Sequence, residues 1–478
     1  MSTAKQVVKN SIWLLTANIV MKILSAIVII TLARKLGTES FGQYSFAIAF
    51  VGFFTLIATF GFDSLLIRDI AKNKEEVYKY VNNILTIKIV FGIIALIILF
   101  IVSQFINKPT YLIVAIYIFG IDIIVGGFSD TLRNIFQAYE NMRFYAITNI
   151  IEKFLWAGLL LLVIFMKTTL LNVALATLTS AFLGLLITYW LAKKNLVKIS
   201  LETDWIFWKS IIIQALPFAL TSLFSLINFK IDQVILSFMQ SDIILGWYSA
   251  AYKIIDILAL IPSLLLTALY PVFSRYHKEN EILLKKGFDL ALRYVIILAI
   301  PVVIGVFLVA DKLILLLYGT EYFNSISVLR ILIFISLISF INTPLFVMLN
   351  AIGKQKITMI YTAIIACVNT IMNILLIPIL SIKGSALATI IAEITFLILS
   401  SYQLRKSGFE LRLFQKIIKP LIAGIIMAVV MLLIIKTSIF IIIPIAAITY
   451  FVVLFLIKEF DKEDIELAKR VLSKRNAS

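Results

Sequence analysis

The chain has 478 residues, 62% of them hydrophobic and 14% charged, with a mean hydropathy of +1.06. Soluble domains carry about a quarter charged residues, so a water-soluble globule is excluded. The net charge of +17 does not point to nucleic acid: the cations are spread over many short segments, with no basic face interleaved with aromatic platforms.

A helix needs about 20 apolar residues to cross the hydrocarbon core, and such runs follow one another along the whole sequence. They predict an all-α, polytopic transmembrane bundle of about 14 helices. Met1–Asn10 is polar and basic, and no small-residue cleavage pattern ends the run after it, so that run reads as the first span and not as a cleaved leader. The spans centre near Lys22, Val51, Ile93, Ile121, Leu155, Phe182, Phe224, Leu260, Ile300, Ser336, Ala366, Ile394, Met427 and Ala447. With the N-terminus inside, 30 Lys and Arg fall in cytoplasmic segments and 7 in the opposite loops. The positive-inside rule then puts both termini in the cytoplasm of a multi-pass cell-membrane protein. The short external loops, without an Asp-x-Asp pair, argue against a membrane glycosyltransferase.

An internal repeat is visible. Gly42-Gln43-Tyr44-Ser45 resembles Gly246-Trp247-Tyr248-Ser249, Gln137-Ala138 resembles Asn350-Ala351, and Ala174-Leu175-Ala176-Thr177 recurs as Ala386-Leu387-Ala388-Thr389. The offsets are 204, 213 and 212, as duplication with small insertions would leave them. Two parallel six-helix lobes follow, residues 1–200 and 201–410, with two further helices and a cytoplasmic tail in 411–478. Parallel repeats are a transporter plan, with the route between the halves. Of nine prolines, only Pro109 precedes Trp205, which suggests a second lobe with more helix bends.

Six cations remain inside predicted spans: Lys22, Lys88, Lys153, Lys230, Lys253 and Arg330. A cation at mid-membrane costs about 2.5–3.5 kcal/mol even on the mild insertion scale, so it must snorkel, pair or line a wet cavity. Lys22 is too central to snorkel, and Asn18 lies one turn before it; Lys88 and Arg330 are near helix ends and read as snorkelling. Lys253 shares a face with Asp256 three residues on, as an ion pair would require. Lys230 and Asp232 are two residues apart, so one should face the cavity and the other a neighbouring helix. Asp63 and Asp130 read as interfacial. Asp122 and Glu393 lie deeper and, with Asp256, are candidates to carry a coupling Na+ or H+. Several lysines with few free acids suit an anionic headgroup such as a pyrophosphate. Catalysis is not expected: the one histidine, His277, sits in a basic segment, and the one cysteine, Cys367, reads as a packed core residue. No metal or other cofactor site is expected.

The segments Leu36-Gly37-Thr38-Glu39-Ser40-Phe41-Gly42-Gln43-Tyr44-Ser45, Gly61-Phe62-Asp63-Ser64-Leu65-Leu66-Ile67-Arg68-Asp69-Ile70-Ala71, Ile231-Asp232-Gln233-Val234-Ile235-Leu236 and Gly246-Trp247-Tyr248-Ser249-Ala250-Ala251-Tyr252-Lys253, with Asn350-Ala351-Ile352-Gly353-Lys354, are soft patterns that gain specificity together. Through them the chain resembles the polysaccharide transporter branch of the multidrug/oligosaccharidyl-lipid/polysaccharide exporter superfamily, over nearly its whole length. The resemblance implies a V-shaped, two-lobed fold that alternates between inward- and outward-facing states and flips polyprenyl-phosphate-linked oligosaccharides for surface polysaccharide or glycan assembly. Lys253 stands where the similar peptidoglycan-precursor flippases carry a cavity arginine, keeping the charge without the forked geometry. Lys22, Lys230, Lys253 and Asn18 are therefore expected to bind substrate, in a cavity lined by the first, second, seventh and eighth spans. Expected partners are the polyprenyl-linked saccharide, membrane lipid, and a glycan polymerase or glycosyltransferases. Two alternatives stay open: an ion-coupled multidrug exporter of the same fold, disfavoured by the lack of an acid in Ser11–Thr31, and a membrane scaffold for glycosyltransferases.

Overall fold

A computed structural model describes residues 3–139, 141–195 and 200–460, with the side chains of residues 3–18, 71–72, 195 and 265–268 also outside the description. The described residues form helices joined by short loops, with no strand among them, because a lipid solvent offers no hydrogen bonds and each helix satisfies its own backbone. In chain order the helices are α1 (Thr3–Thr59), α2 (Phe62–Lys72), α3 (Val77–Ser103), α4 (Thr110–Ala138), α5 (Met142–Met166), α6 (Leu170–Asn195), α7 (Trp205–Met239), α8 (Asp242–Leu258), α9 (Leu260–Glu279), α10 (Glu281–Leu308), α11 (Ala310–Leu317), α12 (Ser325–Ala351), α13 (Gln355–Leu380), α14 (Ile382–Lys406), α15 (Leu413–Leu433) and α16 (Ile439–Leu456).

Twelve helical stretches are long and apolar enough to cross a membrane, and a bent pair, Ile19–Thr59 with Phe62–Ile70, makes a thirteenth candidate. The count agrees with the sequence reading, because α1 carries the first two expected spans. Its 57 residues would run about 85 Å as a straight rod, but Gly37 breaks it with φ 76° and ψ 173°. That conformation is open to glycine and costly for any other residue.

Contacts group the chain into two compact units. One holds the chain up to Ile257, Leu317–Ser325 and Thr362–Ala392; the other holds Leu258–Leu316, Ile326–Tyr361 and the chain from Glu393 on. The lobe boundaries near residues 200 and 410 remain expectations from the repeat.

In the first unit α2, α3, α4 and α7 share a core of Phe62, Leu66, Ile84, Phe136, Trp208 and Ile211. The related glycine segments meet inside this unit. A Cβ on Gly42 would lie 1.8 Å from the Asp242 carbonyl oxygen, and one on Gly246 would lie 2.0 Å from the Thr38 carbonyl oxygen. Gly42 and Gly246 are 204 residues apart, and so are Thr38 and Asp242. The two contacts are therefore one contact made twice across a local pseudo-twofold relation. Only glycine lets helix backbones approach so closely. Polar groups surround the crossing: the Asp242 carboxylate pairs with Lys108 at 2.5 Å and accepts from the Gln43 amide at 3.2 Å, while the Tyr111 hydroxyl donates to Gln43 Oε1 at 3.0 Å.

In the second unit Phe288, Leu292, Ile296, Met348, Met427, Tyr450 and Leu454 form one core, so α15 and α16 pack with α10. Gly424 permits the approach, as a Cβ there would meet Ile304 Cδ1 at 2.6 Å and Ile300 Cγ2 at 2.9 Å. The Tyr450 hydroxyl donates to the Ile297 carbonyl at 2.8 Å.

Three expectations are corrected. Lys88 does not snorkel: its ammonium is buried and donates to both oxygens of Asp63, to Gly127 O and to Thr131 Oγ1, at 2.7–3.1 Å. Asp63 is its counter-ion, which is cheaper than exposing a lone charge to hydrocarbon. Arg133, one of the 30 cations expected in cytoplasmic segments, is buried in α4 and pairs with Asp130 and Glu152. Cys367 is exposed on α13 and not packed in the core, since the apolar run around it also has a face turned outward.

Candidate cationic site in the first unit

Residues two apart on a helix point about 200° from one another. Lys230 and Asp232 follow this on α7: Lys230 is partly exposed and Asp232 is buried. The Asp232 carboxylate accepts from the Tyr248 hydroxyl of α8 at 2.5 Å and from the Gln233 N–H at 2.7 Å. The bond to Tyr248 fixes α8 in rotation against α7. Five residues after Tyr248, Lys253 is partly exposed, and Asp256 lies 3.8 Å away on the same face. Lys22 of α1 is exposed at mid-helix.

Lys253 lies within electrostatic reach of Lys22, Lys230 and Lys153. Four spanning helices, α1, α5, α7 and α8, thus contribute one lysine each to a common region. Lys153, one of the six cations inside predicted spans, directly follows Glu152 in sequence. Its ammonium instead sits 3.6 Å from the ring centroid of Trp156, while Glu152 belongs to Arg133. The signal that could have found it was present: a lysine three residues before a tryptophan inside a span, the i,i+3 spacing of a cation–π pair.

The carboxylates near the lysines are mostly engaged. Asp130 and Glu152 serve Arg133, Asp256 serves Lys253, and Asp232 is held by Tyr248. Among the described residues, Lys22 and Lys230 take no ion pair. Asp122 lines a cavity of about 340 Å³ with Asp130, Asn149, Glu152, Lys153 and Trp156. Glu393 lies elsewhere, in the second unit, partly buried and accepting from the Asn342 amide at 2.7 Å. The side chain of Asn18 falls outside the described residues. The structure therefore brings together Lys22, Lys230, Lys253 and Asp256, places Asp122 beside Lys153, and sets Glu393 apart.

A polar cluster that sequence reasoning did not single out continues behind Asp232. Asn228, one turn earlier, accepts at its carbonyl from Asn369 of α13 at 2.9 Å, and Asn373 donates to Asn369 Oδ1 at 2.7 Å. The buried Asn228 Oδ1 and Asn373 Oδ1 accept nothing among the described residues. Such oxygens beside a carboxylate suit a small hard cation. The Asn-x-x-x-Asn spacing, one helical turn, was the sequence signal.

Two family models match the chain: a polysaccharide biosynthesis protein over residues 7–277 and the lipid II flippase MurJ over residues 204–461. The capsular polysaccharide biosynthesis protein CapF of Staphylococcus aureus is 25% identical over 401 residues, covering 82% of this chain and 97% of its own. Among solved structures, lipid II flippase MurJ in an inward closed conformation aligns with a TM-score of 0.78 at 16% identity, over 93% of this chain and 98% of the other. An inward-facing multidrug resistance transporter of the MATE family aligns at 0.65 and 15% identity, over 81% and 95%.

Proposed function

Because this chain belongs to the polysaccharide biosynthesis protein family, we propose that it flips polyprenyl-phosphate-linked oligosaccharides across the cell membrane for surface polysaccharide or glycan assembly. It is a multi-pass membrane protein of flippase type, with helices long enough to span. The observation that carries the finer reading is the lysine cluster. A phosphate or pyrophosphate headgroup taken out of water needs charge-matched donors, and Lys22, Lys153, Lys230 and Lys253 come from four separate helices with two of them unpaired. The saccharide would be held by the same region, and the polyprenyl chain would stay in lipid. Alternating access, with both termini cytoplasmic, completes the proposal: the charged headgroup crosses in a protein-lined path and never enters hydrocarbon. None of these steps makes or breaks a covalent bond, so the chain acts as a transporter and not as an enzyme. A polymerase or glycosyltransferase would meet the flipped product outside or the loaded lipid inside.

The coupling ion is Na+ or H+. Asp122, lining the same cavity as Lys153, suits a proton. The Asp232 cluster, with its two unmatched amide oxygens, suits Na+. Asp256 is occupied by Lys253 and Glu393 by Asn342, which weakens both as carriers.

The multidrug-exporter reading draws on the shared fold with the MATE transporter, which shows architecture alone. The scaffold reading requires no cavity charge at all. Transbilayer movement in proteoliposomes separates the three. Wild-type protein should move a polyprenyl-pyrophosphate saccharide, and Lys253→Ala should stop that movement with folding intact. Movement of a fluorescent organic cation without saccharide-lipid movement would refute the flippase in favour of the exporter. Binding of glycosyltransferases with neither movement would favour the scaffold.

A further inference from the structure

A second charged cavity lies in the second unit, independent of the lysine cluster. It has a volume of about 670 Å³ and is lined by the start of α10, the segment between α14 and α15, the start of α15, and Glu459 just past α16. Six cationic and three acidic side chains line it. On the floor, Lys416 is 9% exposed and pairs with Asp289 at 2.5 Å, and Arg293 pairs with the buried Glu459 at 2.9 Å. Lys285, Arg412 and Lys419 stand at the exposed rim. Their carboxylate pairings leave donors over, because an ammonium has three N–H groups and a guanidinium five.

We propose that this groove binds the headgroup of an anionic phospholipid. Three observations support a lipid over other anions. The groove stands at the ends of spanning helices, where the chain leaves the hydrocarbon. Its surplus of three positive charges favours an anionic headgroup over a zwitterionic one. On the face of α15 turned away from Lys416, Phe414, Ile418, Leu421 and Ile425 form an exposed apolar stripe, spaced as one helix face, which sets the helix that lines the groove against lipid. Basic pockets between membrane helices are established places for lipid headgroups. Holding α15 to α10 does not require the rim cations, since Gly424, Tyr450 and the shared core already do that.

The test is native mass spectrometry of the purified full chain, titrated with phosphatidylglycerol or with phosphatidylcholine of the same acyl chains. Phosphatidylglycerol should bind more tightly. Each rim cation should contribute about fivefold, so Lys285→Gln/Arg412→Gln/Lys419→Gln should lose on the order of a hundredfold. The single variant Lys419→Gln, expected to lose about fivefold, keeps the proposal testable if the triple variant fails to fold. Millimolar inorganic phosphate should not displace the lipid. Equal binding of the two lipids, or equal binding by wild type and variants, would overturn the proposal, and displacement by phosphate alone would reassign the groove to a free anion.

Discussion

Replacing Gly42 by alanine tests the crossing of α1 and α8. The added Cβ would sit 1.8 Å from the Asp242 carbonyl oxygen, whereas ordinary contact begins at 3.4 Å. The backbones must part by the difference, about 1.6 Å, and neither can yield by rotating a side chain. Overpacking of this kind costs about 1–3 kcal/mol, and backbone against backbone belongs at the upper end. Alanine returns roughly 1 kcal/mol of helix propensity relative to glycine, leaving a net loss of about 2 kcal/mol. Gly126→Ala supplies the reference, because its Cβ would meet nothing within 4 Å; it should be neutral or gain up to about 1 kcal/mol. Gly246→Ala should behave as Gly42→Ala does, its Cβ falling 2.0 Å from Thr38 O. The assay is reversible unfolding in mixed micelles, followed by the fluorescence of the six tryptophans, of which Trp247 adjoins the crossing. If Gly42→Ala unfolds together with Gly126→Ala, the two helices do not cross at these glycines and the reasoning fails.

Further outcomes follow from other contacts. Lys88→Met strands the Asp63 carboxylate and should cost about 3 kcal/mol, the low end for a broken buried pair because Asp63 keeps some solvent access; adding Asp63→Asn should recover much of it in the same unfolding assay. Asp204 caps α7 by accepting from the Phe207 N–H at 3.0 Å, and this bond, with Lys79 beside it, holds its carboxyl below the usual carboxylate range. Its folded value being depressed, the stabilisation is present above the unfolded value of about 3.9 and is lost as pH falls through the folded value. Asp204→Ala should thus be less stable than wild type at neutral pH, and the difference should vanish as acid protonates the carboxyl in both states. In proteoliposomes under an imposed Na+ gradient, Asp232→Asn should abolish the Na+ dependence of saccharide-lipid movement while Asp122→Asn retains it; the opposite pattern would move the coupling ion to α4.

The spans were legible because lipid imposes one secondary structure and a minimum length on every apolar run. Composition alone therefore located the helices, and even the hidden break in α1 was marked by Gly37 between two apolar runs. The in-membrane lysines were legible for the same reason, as costly exceptions to a simple rule. What sequence could not show was pairing across helices. Lys88 finds Asp63 from 25 residues away, and Arg133 finds Glu152 on the next helix. Periodicity along one helix carries no record of what the neighbouring helix presents. Lys153 joined the cluster, and Glu393 left it, on that account alone. Cys367 shows the converse: an apolar neighbourhood in sequence does not tell an inward face from an outward one, because in a membrane both are apolar.

The doubled glycine contact bears on the ancestry of the chain. A contact in which Thr38 meets Gly246 and Asp242 meets Gly42 is isologous, the form made by two identical subunits about a twofold axis. A half-length chain with both ends on one side of the membrane could have made this crossing with a second copy of itself. Position 38 holds a threonine, while position 242 holds an aspartate with its own lysine, Lys108, and glutamine, Gln43. A homodimer would have to place that ion pair twice; this chain has it once, so the crossing carries a handedness that two identical copies could not have.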